Sequence, residues 1–133
     1  RIGYGVGAPG LIELMNRVRQ PFNVNHFAQI AATASLDDKK FIEKSRSINN
    51  AGMKQLTDAF KELNIVFIPS YGNFVSFKLE DEKSAMMYYH HLLNNGVIVR
   101  PIANYDLPNF LRVSVGLEHE NDVFIKYLSN CNI

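Results

Sequence analysis

The sequence predicts an α/β fold of the two-layer α+β kind, a small and mostly antiparallel sheet with helices on one face. Three observations carry that prediction. From Asp38 onward the expected elements run helix, strand, strand, helix, strand, strand, helix, an order that builds one sheet with helices laid against it. The strand candidates alternate. In "GNFVSFKL" Asn73, Val75, Phe77 and Leu79 lie opposite Phe74, Ser76 and Lys78. In "FLRVSVG" Leu111, Val113 and Val115 share a core-forming face, while Arg112, Ser114 and Gly116 share the other, as successive side chains of an extended chain must. The stretch before them keeps a 3–4 residue rhythm through Phe41, Ser45, Ile48, Gly52, Leu56, Phe60 and Leu63, which is helical.

Taken in order, "APGLIELMNRV" places Pro9 at a helix start, with Leu11, Leu14, Met15 and Val18 at helical spacing. Pro21 breaks it. "NVNHFAQIAATASL" reads as a second helix capped by Asn23 or Asn25. Ser35 and Asp38 have the spacing of a capping box, opening a helix to Leu63 of about 39 Å. Gly52 weakens that helix by roughly 1 kcal/mol relative to Ala. "IVFIP" and "GNFVSFKL" are strands. "DEKSAMMYYHHLLNNG" is a helix stopped at Asn95-Gly96. "VIVRP" is a short buried strand stopped by Pro101, "ANYDLPNF" a loop, and "EHENDVFIKYLSN" a closing helix with acids in its first turn.

The chain has 133 residues, 47% of them apolar and 20% charged, with a net charge of +1. That is globular composition, and it leaves no basic footprint for nucleic acid. Cys131 is the lone cysteine, which excludes an internal disulfide and Cys-rich metal sites. No apolar run approaches the ~18–20 residues of a membrane span, so a cytoplasmic chain is expected. It starts at Arg1 without Met, in residues that read like a domain interior, and is expected to be a piece of something longer. Residues 1–36 read as a strand and two helices left from a neighbouring domain. Residues 37–133 read as a small domain entered by the long helix.

Candidate chemistry is sparse. His90 and His91 point about 100° apart on a helix and cannot chelate one metal together, no HExxH spacing exists, and no native metal site is expected. "GYGVGAPG" lacks both the P-loop lysine and the dinucleotide glycine spacing. The arginines say more. Arg100 ends "VIVR" and Arg112 interrupts "LRVSV", where packing alone has no use for a guanidinium. Its planar fork matches carboxylate or phosphate bidentately. The alternative is that each pairs with a buried Asp or Glu of this chain.

"RIGYGVGAPGLIELMNRVRQPFNVN", "GNFVSF" and "NNGVIVRPIANYDLPNFLRVSVGLEHEN" resemble the C-terminal portion of histidinol-phosphate aminotransferases, pyridoxal-phosphate enzymes of the aspartate-aminotransferase fold (fold type I). The likeness covers essentially the whole chain. It implies that Arg112 binds the substrate's α-carboxylate, with Ser114 and Gly116 leaving room for the anion. It further implies that Arg100 meets the substrate's distal phosphate and that Arg1 meets the phosphate of pyridoxal 5'-phosphate. The Schiff-base lysine of the family would precede Arg1 by about eight residues, so no catalytic residue is expected in this chain, which alone would be inactive and would not retain the cofactor. The implied substrates are histidinol phosphate and glutamate, and the implied assembly is a homodimer.

Residues 1–36 would pack on the large domain, and without it the apolar faces around Leu11, Leu14, Phe22 and Phe27 would invite self-association. Asp106 stands where relatives commonly have Gly, close enough in sequence to neutralise Arg100 or Arg112. Two rival readings stay open. One is a sister pyridoxal-phosphate enzyme, an aromatic-amino-acid aminotransferase or threonine-phosphate decarboxylase. The other is a non-catalytic interaction module.

Overall fold

The computed structural model describes residues 1–131 and divides into two compact units, Arg1–Glu43 and Lys44–Ile133. In the first unit, helix α1 spans Pro9–Val18 with the proline in its first turn, where its missing N–H costs nothing. Helix α2 spans His26–Asp37. Asn25 caps it, its side chain accepting from the N–H groups of Phe27 at 2.8 Å and Ala28 at 3.3 Å. Residues 1–8, expected to include a strand, form no regular element; among the described residues the strand ladders lie between Phe67 and Ser114, and none reaches them. No residue of α1 or α2 is buried. Leu11, Leu14, Phe22 and Phe27 are 56%, 59%, 100% and 80% exposed, so both helices present apolar surface to water.

Helix α3 spans Lys39–Glu62, about 36 Å at 1.5 Å per residue. Its start departs from the expected capping box. Ser35 is still inside α2 and donates to the carbonyl of Ala31 at 2.7 Å. Asp38 is the residue whose side chain accepts from Phe41 N–H, at 3.0 Å. One turn of helix occupies Ser35, so its hydroxyl is spent on its own backbone.

In the second unit, strands β1 (Phe67–Ile68), β2 (Phe74–Lys78), β3 (Arg100–Ile102) and β4 (Leu107–Ser114) form one sheet in the order β1-β2-β4-β3. All three ladders are antiparallel. Helix α4 (Glu82–Asn94) follows β2, and α5 (Glu118–Ser129) follows β4. The inward residues of the strands and the apolar stripes of the helices make one core, built from Leu56, Phe60, Val75, Phe77, Leu92, Leu111, Val113, Phe124 and Leu128 among others. Phe60 stacks on Phe77 with ring centroids 5.0 Å apart, and Phe124 meets both edge-on at 6.1 and 5.8 Å. Each such ring contributes about 1.5–3 kcal/mol by burial. The helices therefore cover one face of the sheet and leave the other open, which is the two-layer architecture expected.

Two boundaries differ from expectation. Val97–Val99 join no strand ladder, Val97 N–H donating instead to the Leu92 carbonyl at 2.9 Å, and the strand begins at Arg100 and runs through Pro101 instead of stopping there. β3 is the sheet's edge, where a proline's missing N–H faces no partner. The expected loop at "ANYDLPNF" shrinks to a single 3-10 turn, Ala103–Tyr105, because β4 already starts at Leu107. Asp106 turns the corner at φ 59°, a left-handed conformation that Asp tolerates better than most residues and that explains why Gly also suits this position.

Candidate anion-binding site

Strand register sets the site. Across the sheet Ile68 pairs with Ser76, Ser76 with Arg112, and Arg112 with Arg100. Cross-strand partners point to the same side, so the two arginines stand next to each other on the face that the helices leave bare. Lys78 shares that side of β2, and no strand of the sheet carries an Asp or Glu. The alternative of internal pairing fails. The ion pairs among the described residues are Arg17 with Glu13, and Lys54 and Lys61 with Asp58. Asp106 neutralises neither Arg100 nor Arg112.

Directly opposed like charges destabilise a strand pair. A fold that needed only a sheet would place threonine or an opposite charge here. Two arginines paired across a ladder, on strands that carry no carboxylate, favour an anion there, and their in-plane N–H groups suit the paired oxygens of a carboxylate or phosphate.

The immediate surroundings sharpen this. The Arg112 guanidinium lies 4.7 Å from the centroid of the Phe74 ring. Phe74 pairs across the ladder with Ser114, whose small side chain leaves the ring uncovered for its diagonal neighbour. Gly116, by contrast, does not leave room for an anion. A Cβ there would meet Glu120 Oε2 at 2.8 Å and Asn121 Oδ1 at 3.3 Å. Its bareness serves the turn into α5: β4 ends at Ser114 and the strand alternation no longer holds at Gly116.

Arg1 belongs to the first unit, exposed and free of any ion pair among the described residues. Two of the four histidines have local partners. His91 Nε2 lies 3.1 Å from the carbonyl of Tyr127, and the His90 ring meets Tyr89 edge-on at 5.1 Å. What the sequence reading missed is the polar lock behind the site. Asn121, 2% exposed, donates to Gln55 Oε1 at 2.9 Å and accepts from Gly116 N–H at 2.9 Å, while Gln55 donates to Asp122 at 2.6 Å. "EHEND" signalled only a helix start; that Asn121 turns inward follows from tertiary packing alone.

The architecture is a four-stranded antiparallel sheet backed by helices, with Arg100, Arg112 and Lys78 on one face. The sequence profile of the family "Aminotransferase class I and II" matches residues 1–128, and the chain belongs to that family. Histidinol-phosphate aminotransferase of Methylobacillus flagellatus is 55% identical over 96% of this chain and 34% of its own length. Histidinol-phosphate aminotransferase 1 of Nitrosococcus oceani is 52% identical over 96% and 34%. Among solved structures, histidinol-phosphate aminotransferase from Sinorhizobium meliloti, in complex with pyridoxal-5'-phosphate, superposes with a TM-score of 0.78 over 92% of this chain and 34% of that one, at 20% identity, a likeness of fold. The chain spans about a third of the length of the curated relatives it matches.

Proposed function

We propose that this chain is the substrate-gripping part of a histidinol-phosphate aminotransferase. The observation that carries the reading is the unpaired Arg112–Arg100 couple on an open sheet face, and the 55% identity to a protein of that name supports it. Residues 1–36 would be a piece of the large cofactor-binding domain and residues 37–133 the small domain. The working protein would be a homodimer in the cytoplasm.

Histidinol phosphate carries a phosphate and no carboxylate, whereas glutamate carries two carboxylates. One site must take both in turn. Arg112 would hold the α-carboxylate of glutamate, and Arg100 the distal phosphate of histidinol phosphate. The chain's own offer to pyridoxal phosphate is Arg1, whose unpaired guanidinium suits the cofactor's phosphate. That cofactor's pyridine ring supplies the electron sink for transamination when bound. The chain's residues would bind and orient; the lysine that would hold the cofactor and move the proton would come from another part of the enzyme, so the 133-residue chain alone is expected to be inactive.

The test is the full-length protein assayed with histidinol phosphate and 2-oxoglutarate against phenylalanine and 2-oxoglutarate. A clear preference for histidinol phosphate supports the reading, and a preference for phenylalanine replaces it with a sister enzyme. Arg112→Ala should cost about 2–5 kcal/mol of glutamate binding once the ligand shields the pair from water. Glutamate kinetics within twofold of wild type would remove Arg112 from the role.

A further inference from the structure

We propose that Phe74 is a positioning residue for the anion grip, holding the Arg112 guanidinium by its flat face so that every donor at its edge is free for the ligand. The proposal rests on the reading of Arg112 given above and adds a residue to it.

Phe74 sits on β2 directly opposite Ser114 of β4, and Ser76 opposite Arg112. Phe74 and Arg112 are thus diagonal neighbours on one face, a separation that long and aromatic side chains span. The guanidinium carbon lies 4.7 Å from the ring centroid, within the range of a cation–π contact. Phe74 is 38% exposed and is absent from the core cluster. A large ring left half in water on the outer face of a sheet is a poor use of apolar area unless it serves something on that face.

Arginine offers two ways of being held. A carboxylate partner such as Asp or Glu would consume the N–H groups that recognise ligand. A ring under the plane consumes none, because all five N–H donors lie in that plane. The stack also opposes two forces that would pull the fork away. Arg100, across the ladder, repels it, and a free arginine side chain has up to ~2 kcal/mol of rotamer entropy to lose on binding. Holding the fork in place before the ligand arrives lowers that cost. Ser114 is small enough to leave the ring's face accessible, which gives that position a reason independent of ligand contact.

The full-length protein carrying Phe74→Leu, Phe74→Met, Phe74→Tyr and Arg112→Lys, singly and with Phe74→Leu combined with Arg112→Lys, separates the possibilities. We expect Phe74→Leu and Phe74→Met to raise the glutamate KM roughly three- to tenfold with kcat within twofold, and Phe74→Tyr to stay near wild type. Adding Phe74→Leu to Arg112→Lys should change KM less than twofold further. A second readout needs no catalysis: in arginine side-chain NMR of the 133-residue chain, the Arg112 Nε–H signal should carry an upfield ring-current shift that Phe74→Leu abolishes and Phe74→Tyr keeps.

If Arg112→Lys raises KM while Phe74→Leu and Phe74→Met leave it within twofold, the positioning role is overturned and the carboxylate role of Arg112 stands. If Arg112→Lys itself leaves KM unchanged, the underlying reading fails first. Loss of kcat and melting temperature together in both the Leu and Met variants, with no separate KM effect, would make Phe74 a packing residue and overturn the proposal.

Discussion

Gly52 decides how closely α3 approaches the turn after β4. A Cβ there would stand 2.5 Å from Val115 Cγ1, 2.8 Å from Asn121 Nδ2 and 3.2 Å from the backbone oxygen of Gly116. Two of these neighbours cannot yield cheaply, because Asn121 is buried and bonded to Gln55 and Gly116. Gly52→Ala would gain helix propensity of about 1 kcal/mol and lose more to overpacking, typically 1–3 kcal/mol. Denaturant unfolding of the variant should show a net loss of stability; a net gain would mean the helix shifts freely. From sequence, Gly52 was legible only as a weak point in a helix. Its tertiary reason lies more than sixty residues away, where no local pattern reaches. Arg112 was legible because strand alternation assigns its face without any knowledge of neighbours, whereas its closeness to Arg100 depends on a ladder register that no single strand encodes.

Elements were legible wherever a period or a cap is written locally. The Asn25 cap of α2, the Asn95-Gly96 stop of α4 and the inward set of β2 all follow from short patterns. Boundaries governed by pairing were not. Pro101 stops a central strand but is harmless on the edge strand that β3 turns out to be, and the sequence does not say which strand is outermost. At α4, Asp81 accepts from Ser84 N–H at 2.7 Å, and that backbone bond to the helix start, before all lesser causes, holds its carboxyl below the ordinary value. A carboxyl more acidic in the folded than in the unfolded state stabilises fully above the unfolded pKa of about 4. That stabilisation fades as pH falls through the lower folded value. Asp58, held down first by hydrogen bonds from Lys54 and then Lys61, has the same sign. Asp81→Asn, which keeps an acceptor but cannot titrate, should make thermal stability fall less steeply below pH 4 than in wild type. An unchanged acid limb would show that the cap bond does not form.

For the whole molecule, the two units differ in how well they hide their apolar groups. Every residue of the core cluster lies at or beyond Leu56, while α1 and α2 bury nothing. Exposed apolar surface of that extent seeks cover. Sedimentation of the 133-residue chain should show association that rises with concentration, and residues 39–133 alone should lose it while keeping one cooperative unfolding transition. A monodisperse full chain would count against this. The fold class was readable because the element order allows few arrangements; the exposed apolar faces of residues 1–36 were readable because two striped helices with no sheet of their own have nothing to pack on. The facing arginines have one more consequence, for handling at the bench. Anything that binds the native state and not the unfolded one adds RT ln(1 + [L]/Kd) to stability, so two uncompensated positive groups make the solvent's own salts into ligands. At matched ionic strength, phosphate should raise the melting temperature above chloride by more in the wild-type chain than in one carrying Arg100→Gln and Arg112→Gln. The counter-ion in the purification buffer becomes a variable of the protein rather than of the recipe.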